Sequence, residues 1–394
     1  MKKKLLLVGD AAADTGFAKV LHSLAYRWAS NWDLYILGVN YDGDYHPISQ
    51  VAKLFNPRLH DFNDVYGLSR IPELTTKIKP DLVFYLNDPW ILSQYAEKIP
   101  KAYPTKHVFY TPIDAVNVKP IFVQPLHVFD FGIAYTYFGA SVLQQSGYSK
   151  NLAVIPHGID LQEFFPMDKK AVRAEIKNKS LTDNVDPEDF IVQVVDRNSQ
   201  RKRIDLAMYG FALWSNNKPK NVKLWYHGAL LDVGYDIAQL AEFFGITDRM
   251  IYTVKNLDPA HGVSTSVLNA VYNAADVRVS TSGGEGWGLC TMESMATRTA
   301  NMVVNTAALS EWARGGVHYI EPSDIPYVTT NGLNTIHAQA SMQSYIDGLE
   351  KMYTDSLYRE YIAESGYALV TQTSYLWDTV AAQFEAVFNN LIKE

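Results

Sequence analysis

The residues with the clearest capacity for chemistry lie in one run, Ser280-Thr281-Ser282-Gly283-Gly284-Glu285-Gly286-Trp287-Gly288-Leu289-Cys290-Thr291-Met292-Glu293. Its glycines allow a tight turn and a close approach of the backbone to a ligand. The run follows a strand-like stretch and opens a helical one, so its N–H groups and the positive end of the helix dipole suit a phosphate. A pure phosphate cradle gains nothing from carboxylates, yet Glu285 and Glu293 flank this one. Carboxylates accept strongly from hydroxyls. The pattern therefore suits a ligand that carries both phosphate and sugar hydroxyls. The blander reading is a glycine-rich turn whose Glu serves the helix N-terminus.

Three other segments place polar groups at strand ends. Val195-Asp196-Arg197-Asn198-Ser199-Gln200-Arg201-Lys202-Arg203 holds cations that can clamp a diphosphate and stabilise a departing nucleotide, or form a solvated basic loop. Asp14-Thr15-Gly16-Phe17-Ala18-Lys19 opens a helix that Asp14 or Thr15 can cap, and Gly16 lets the backbone approach a ligand. Asp114, four residues after Tyr110, can accept a proton or simply serve a turn after Pro112. His227 reads as a satisfied strand-end histidine. No cluster of His, Cys, Asp or Glu has metal-ligand spacing, so no bound metal is expected. Cys290 stands at a helix start, where a thiol pKa can fall, but no base accompanies it.

These segments need elements to hold them. Apolar runs at 4–8, 34–39, 82–86, 107–110, 131–134 and 153–155 read as strands, with helical stretches at 17–30, 69–79, 91–99 and 138–145 between them. A charged, proline-containing stretch at 164–189 reads as a link with a short helix. The alternation resumes with strands at 190–195, 223–226, 250–252, 277–280 and 301–304, and helices at 205–215, 234–244, 264–274 and 290–297. A last helix covers 374–393. Strands this apolar, joined by crossovers, predict parallel sheets covered on both faces. The expectation is an α/β chain with an N-terminal Rossmann-like domain over 1–165, a second over 166–373, and a C-terminal helix over 374–394. Ligands of such sheets sit at the carboxyl ends of the strands, which places the expected site in a central cleft.

The composition fits a globular chain: 394 residues, 47% hydrophobic and 20% charged. A net charge of −7 excludes a whole-surface attraction to nucleic acid or anionic membrane. Local basic groups, Lys2 to Lys4, Lys98 and Lys101, keep a nucleic-acid acceptor open. One cysteine excludes an internal disulfide. The apolar run after Lys4 stops at Gly9-Asp10, too short for a signal peptide, and no stretch approaches a membrane span. A cytoplasmic location is expected.

Glu285 and Glu293, separated by seven residues in a Gly-Trp-Gly-Leu context, resemble the E-x7-E signature of the family-4 retaining glycosyltransferases. Ile155-Pro156-His157-Gly158-Ile159-Asp160 with Phe165-Pro166 is similar to the family's interdomain junction, with His157 where Asn is usual. Leu268-Asn269-Ala270-Val271-Tyr272-Asn273-Ala274-Ala275-Asp276-Val277 and Trp377 match two further family stretches, so the resemblance runs over nearly the whole chain. It implies the two-domain GT-B fold, a last helix crossing back to the first domain, and transfer with retention from a nucleoside-diphosphate sugar, UDP- or GDP-linked, to an acceptor hydroxyl. No cofactor beyond that co-substrate is implied. Arg197 and Lys202 match the family's phosphate-binding cations, although Asp196 replaces a glycine and Arg203 stands where glycine is usual. The resemblance gives donor-binding roles to Gly16, Arg197, Lys202, Glu285, Gly286, Gly288, Leu289 and Glu293. Glu285 would hold sugar hydroxyls and Glu293 the ribose. The family histidine expected near Asp114 is absent, which leaves Asp114 beside Glu285 as the catalytic candidate. Acceptors that fit are a soluble glycan, a small molecule or a hydroxymethylated DNA base. A non-catalytic sugar-nucleotide or nucleic-acid binder on the same scaffold, and a nucleotide-sugar epimerase, are the alternatives.

Overall fold

The computed structural model describes residues 2–13, 15–100, 104–179, 181–182, 184–253, 262–330 and 332–393. The chain divides into two compact units, residues 1–158 with 374–394, and residues 159–373.

The first unit contains strands β1 (Lys3–Asp10), β2 (Trp32–Val39), β3 (Ala52–Phe55), β4 (Leu82–Leu86), β5 (Lys106–Thr111), β6 (Phe131–Ala134) and β7 (Leu152–Val154). Its helices are α1 (Gly16–Trp28), α2 (Arg70–Ile78), α3 (Pro89–Ala96), α4 (Pro120–Val123) and α5 (Tyr137–Gln145). The strands pair in the order β3-β2-β1-β4-β5-β6-β7, all parallel. Leu5, Leu6, Leu7 and Val8 of β1 are fully buried despite pointing to alternate faces, as a sheet covered on both sides requires. The short edge strand β3, Ala-Lys-Leu-Phe, has no counterpart in the sequence expectation. Its alternation is too brief and too charged to announce a strand.

The second unit opens with α6 (Lys169–Asn178) and builds a sheet from β8 (Phe190–Val195), β9 (Val222–His227), β10 (Met250–Tyr252), β11 (Val277–Ser280), β12 (Ala300–Val304) and β13 (His318–Ile320). Interleaved are α7 (Ile204–Ser215), α8 (Ile237–Phe243), α9 (Thr265–Asn273), α10 (Leu289–Ala296) and α11 (Ala307–Trp312). A small antiparallel hairpin, β14 (Tyr327–Val328) and β15 (Ile336–His337), precedes α12 (Met342–Thr354) and α13 (Ser356–Val370). The main strands run β10-β9-β8-β11-β12-β13, again all parallel. Two Rossmann-like parallel-sheet units are thus present.

Strand order reverses between β1 and β4 in the first sheet and between β8 and β11 in the second. Open sheets bind ligands at the carboxyl side of such reversals. There the chain places Asp10 and Asn87 in the first unit, and Asp196 and Thr281 in the second.

The final helix, α14 (Trp377–Lys393), belongs to the first unit. Phe384 and Phe388 meet Trp28 edge-on at 5.7 and 5.2 Å, and Phe384 also meets Tyr110 at 4.8 Å. Trp28 Nε1 donates to the Ala381 carbonyl. Gly158 is where this packing demands glycine: a Cβ there would lie 2.6 Å from the Trp377 ring. The units part after Gly158, earlier than the expected boundary at 165. Phe164 packs on Tyr272, and the N–H groups of Phe165 and Met167 donate to Asn269 and Asn273 of α9. Among the described residues no helix is long and apolar enough to cross a membrane.

Candidate functional site

The second unit's site is built on two loops that follow neighbouring strands of its sheet, β8 and β11. After β8 the chain passes through Asp196, Arg197 and Asn198 into a 3₁₀ turn, Gln200–Lys202. Arg203 then adopts a left-handed conformation (φ 49°) at the start of α7. Asn198 is fully buried and fixes this turn. Its Nδ2 donates to the carbonyls of Ala229, Leu230 and Tyr235, while its Oδ1 accepts from the Tyr235 N–H at 2.8 Å. One side chain thereby ties the basic turn to the loop after β9. On that loop Asp232 accepts from Arg197 Nε at 2.8 Å.

The glycine-rich run after β11 is held along its backbone. The Gly283 N–H donates to the Arg201 carbonyl, and the Gly283 carbonyl accepts from Ala338, beside the hairpin. Arg201 Nη1 donates to the Gly284 carbonyl. The Glu285 carbonyl accepts from Ala308 of α11, and the Trp287 carbonyl from Trp312 Nε1 at 2.7 Å. Trp287 and Trp312 stack at 4.8 Å, so Trp287 is a core clamp rather than a platform for a sugar. Gly283 is required by this packing and not by ligand approach: a Cβ would lie 2.8 Å from the Ala338 carbonyl oxygen. Gly288 has φ 94°, which a side chain rarely adopts, and forms the N-cap of α10. The run is accessible at Gly286, Gly288 and Leu289. Behind them stand the first N–H groups of α10, which helix geometry leaves without intrahelical partners.

Lys202 and Glu285 are brought into contact. Lys202 Nζ lies 2.6 Å from Glu285 Oε1 and 2.7 Å from Asp196 Oδ1. Arg201 Nη1 is 3.4 Å from the same Glu285 oxygen. Burial alone would raise the Glu285 carboxyl, but Lys202 and Arg201 reverse this and hold it down at about 2. Burial would likewise lower the Lys202 ammonium, and Asp196 and Glu285 outweigh it to push it up. Arg278, buried within β11, reaches the second Asp196 oxygen at 3.5 Å. The candidate Arg203 is engaged elsewhere, bidentate with Asp205 and bonded to Gln339.

Glu293 lies inside α10, 4% exposed, where Oε2 accepts from the Tyr272 hydroxyl at 2.8 Å. Cys290 keeps its ordinary reading as a small residue at a helix start. Burial, then Asp196 and Glu293, push its thiol up to about 11. His227 is a strand-end histidine as expected, bonded to Thr253 and held at about 4 by burial. Among the described residues no group of three or more His, Cys, Asp or Glu is placed to hold a metal.

The first unit holds the other two candidates. Gly16 is exposed as the first residue of α1. Thr15 is the N-cap, accepting from the Ala18 N–H at 3.1 Å. Asp14, the other cap candidate, lies outside the described residues. Thr15 also donates to Asp10 Oδ2 at 2.7 Å, so the last residue of β1 is a buried carboxylate that sequence reading passed over. Asp114 is half-buried three residues past the end of β5, between buried Ile113 and Ala115. It follows a strand outside the β1/β4 reversal. Asp10, Asn198 and Asp232 were the chief omissions. Only Asp10, a charge ending the strand that holds the apolar run Leu5 to Val8, carried a sequence signal.

No family model matches the chain. The D-inositol 3-phosphate glycosyltransferase of Segniliparus rotundus is 29% identical over 163 residues, 41% of this chain and 33% of that protein. The match thus spans about a third of that relative's length. HepE of Anabaena, solved with UDP and glucose, superposes with a TM-score of 0.71 at 13% identity, covering 98% of this chain and 100% of that one. Sucrose-phosphate synthase of Thermosynechococcus elongatus gives 0.74 at 15% identity, covering 100% of both. The fold is that of the GT-B glycosyltransferases. Within it, Arg197, Lys202, Glu285, Gly286, Gly288, Leu289 and Glu293 share the second unit, and Gly16 and Asp114 share the first.

Proposed function

We propose that the chain is a retaining glycosyltransferase of the family-4 type, moving a sugar from a UDP- or GDP-linked donor to an acceptor hydroxyl. The observation that carries this reading is the placement of Glu285 on the loop entering α10 and of Glu293 within that helix. Glu285 is held ionised beside cations, at a loop whose backbone is fixed on both sides. An ionised carboxylate can accept from sugar hydroxyls. The adjacent helix N-terminus and Arg197 supply positive charge for a leaving diphosphate. Preorganisation matters because fixed donors cost no reorganisation as charge develops. The relative from Segniliparus is named a glycosyltransferase, and HepE holds UDP and glucose. Both support a nucleotide-sugar donor here.

Glu285 would bind sugar hydroxyls and Glu293 the ribose. Arg197 and the N–H groups around Gly286 to Leu289 would meet the diphosphate, and Gly16 keeps a donor-binding role in the first unit. Asp114 would receive the acceptor proton. Acceptors in keeping with this site are a soluble glycan, a small molecule or a modified DNA base, and a cytoplasmic setting suits such a donor.

The test is thermal-shift screening against UDP- and GDP-sugars, followed by the release of nucleoside diphosphate without acceptor. One donor class should raise the melting temperature through binding linkage, and slow release should follow. Release that survives intact in Glu285→Ala sinks the assignment of Glu285. A stabilising donor that is never cleaved identifies a binder, and an altered donor sugar identifies an epimerase.

A further inference from the structure

Asp196 stands where the resembling family has glycine, and its consequence is visible around Lys202. Lys202 Nζ bridges two buried carboxylates, Asp196 at 2.7 Å and Glu285 at 2.6 Å. The Lys202 side chain is only 13% exposed. These three groups together carry one net negative charge, before Arg278 shares Asp196 from below. A diphosphate oxygen approaching them meets a spent cation. Withdrawing Lys202 toward phosphate would strand two buried carboxylates, which is far costlier than breaking an exposed pair. Arg197 differs in both respects: it faces a single carboxylate, Asp232, and its side chain is 62% exposed. Its withdrawal toward a ligand leaves one carboxylate, Asp232, whose side chain is 7% exposed, where withdrawal of Lys202 leaves two.

We infer that Lys202 is a positioning residue, locked by Asp196 so that it orients Glu285, and that the diphosphate of the donor is met by Arg197 instead. The inference rests on the donor reading above and deepens it. Lys202 governs how the sugar is held, and Asp196 fixes which cation meets the phosphates.

The experiment is calorimetric titration of the full chain with UDP, UDP-glucose, GDP and GDP-mannose, comparing wild type with variants. In the pair that binds, Arg197→Ala should weaken the free diphosphate by about tenfold or more, as loss of a charge-assisted contact does. Lys202→Met should leave free diphosphate affinity within about threefold. It should also remove the extra affinity of the sugar-linked form and stop donor cleavage. The charge-neutral double variant Asp196→Asn, Lys202→Met gives the same reading if the single variant unfolds. Asp196→Asn alone should release Lys202 and tighten binding of the free diphosphate. If either methionine variant loses diphosphate affinity as severely as Arg197→Ala, Lys202 is a phosphate ligand and the inference is overturned, while the donor reading stands. If wild type binds none of the four nucleotides, the donor reading fails and takes the inference with it.

Discussion

The two sheets end very differently at their carboxyl edges. In the second unit the reversal between β8 and β11 is crowded with paired charge, Asp196, Lys202, Glu285, Arg201 and Arg278 within one network. Its loops are clamped by Asn198 and by the backbone bonds of the glycine-rich run. Among the described residues of the first unit the corresponding reversal offers one buried carboxylate, Asp10, tied to a helix cap, and Asp114 sits a strand away. What is charged on one side is aromatic on the other. Tyr110, Tyr135 and His157 pack together, with ring centroids 4.1 to 5.5 Å apart, under α14. The same sheet architecture can thus invest its strand ends in fixed charge or in packing. On the proposed reading the first choice suits a diphosphate donor and the second leaves the acceptor side to a few hydrogen-bonding groups.

The largest effect should come from packing in the first unit. Phe384→Ala removes a ring shared by Trp28, Phe84 and Tyr110. It should cost about 3–5 kcal/mol. Calorimetry should then show an early transition for the first unit with the second unit's transition unmoved; a single shifted transition would mean that the two are not thermally separable. Next is Glu285→Ala, expected to slow donor cleavage by about a hundred- to a thousandfold, the usual cost of losing a fixed transition-state contact. Its melting curve should keep the second unit folded.

Acid should weaken both units. Burial lowers His157 to about 3 and His107 to about 4 in the first unit, and His227 to about 4 in the second. Unfolding releases each to an ordinary value near 6.5. The unfolded chain therefore binds more protons between those limits, and stability falls as pH drops through that window. Each histidine contributes a slope of about 1.4 kcal/mol per pH unit there. Both units should lose stability between roughly pH 6 and 4.5, the first through His157 and His107, the second through His227 and through His318, which burial and Lys351 also lower. His157→Gln should flatten that slope in the first unit alone. The smallest effect is Asp114→Asn. Transfer to an acceptor should drop by about tenfold with acceptor-independent donor cleavage unchanged, as loss of a modest proton acceptor would do. If donor cleavage falls as well, Asp114 acts on the donor side and the contrast between the units breaks.

Much of the scaffold was legible from the chain. Fully apolar runs such as Leu5 to Val8 could only be strands buried on both faces, and a glycine-rich run between strand and helix announced the loop at Glu285. Local patterns carry that information because each is decided by neighbours in sequence. The pairings were not legible. Arg197 meets Asp232, Lys202 meets Asp196, and Asn198 ties down Tyr235, each through tertiary placement that no spacing encodes. Helices α12 and α13 had no counterpart in the sequence expectation. Gly348 of α12 and Gly366 of α13 serve close packing there, against His318 and Gly316, where glycine otherwise reads as a breaker.

The placement of α14 has a consequence in time as well as space. The first unit is encoded in two pieces, and the second lies whole between them. During synthesis at roughly 5–20 residues per second, residues 1–158 emerge on the order of tens of seconds before Phe384 and Phe388 can reach Trp28. The second unit is finished while the first still exposes the apolar surface around Trp28, Phe84 and Tyr110. The first unit is therefore begun before the second and completed after it, and its nascent part most needs shielding until α14 emerges.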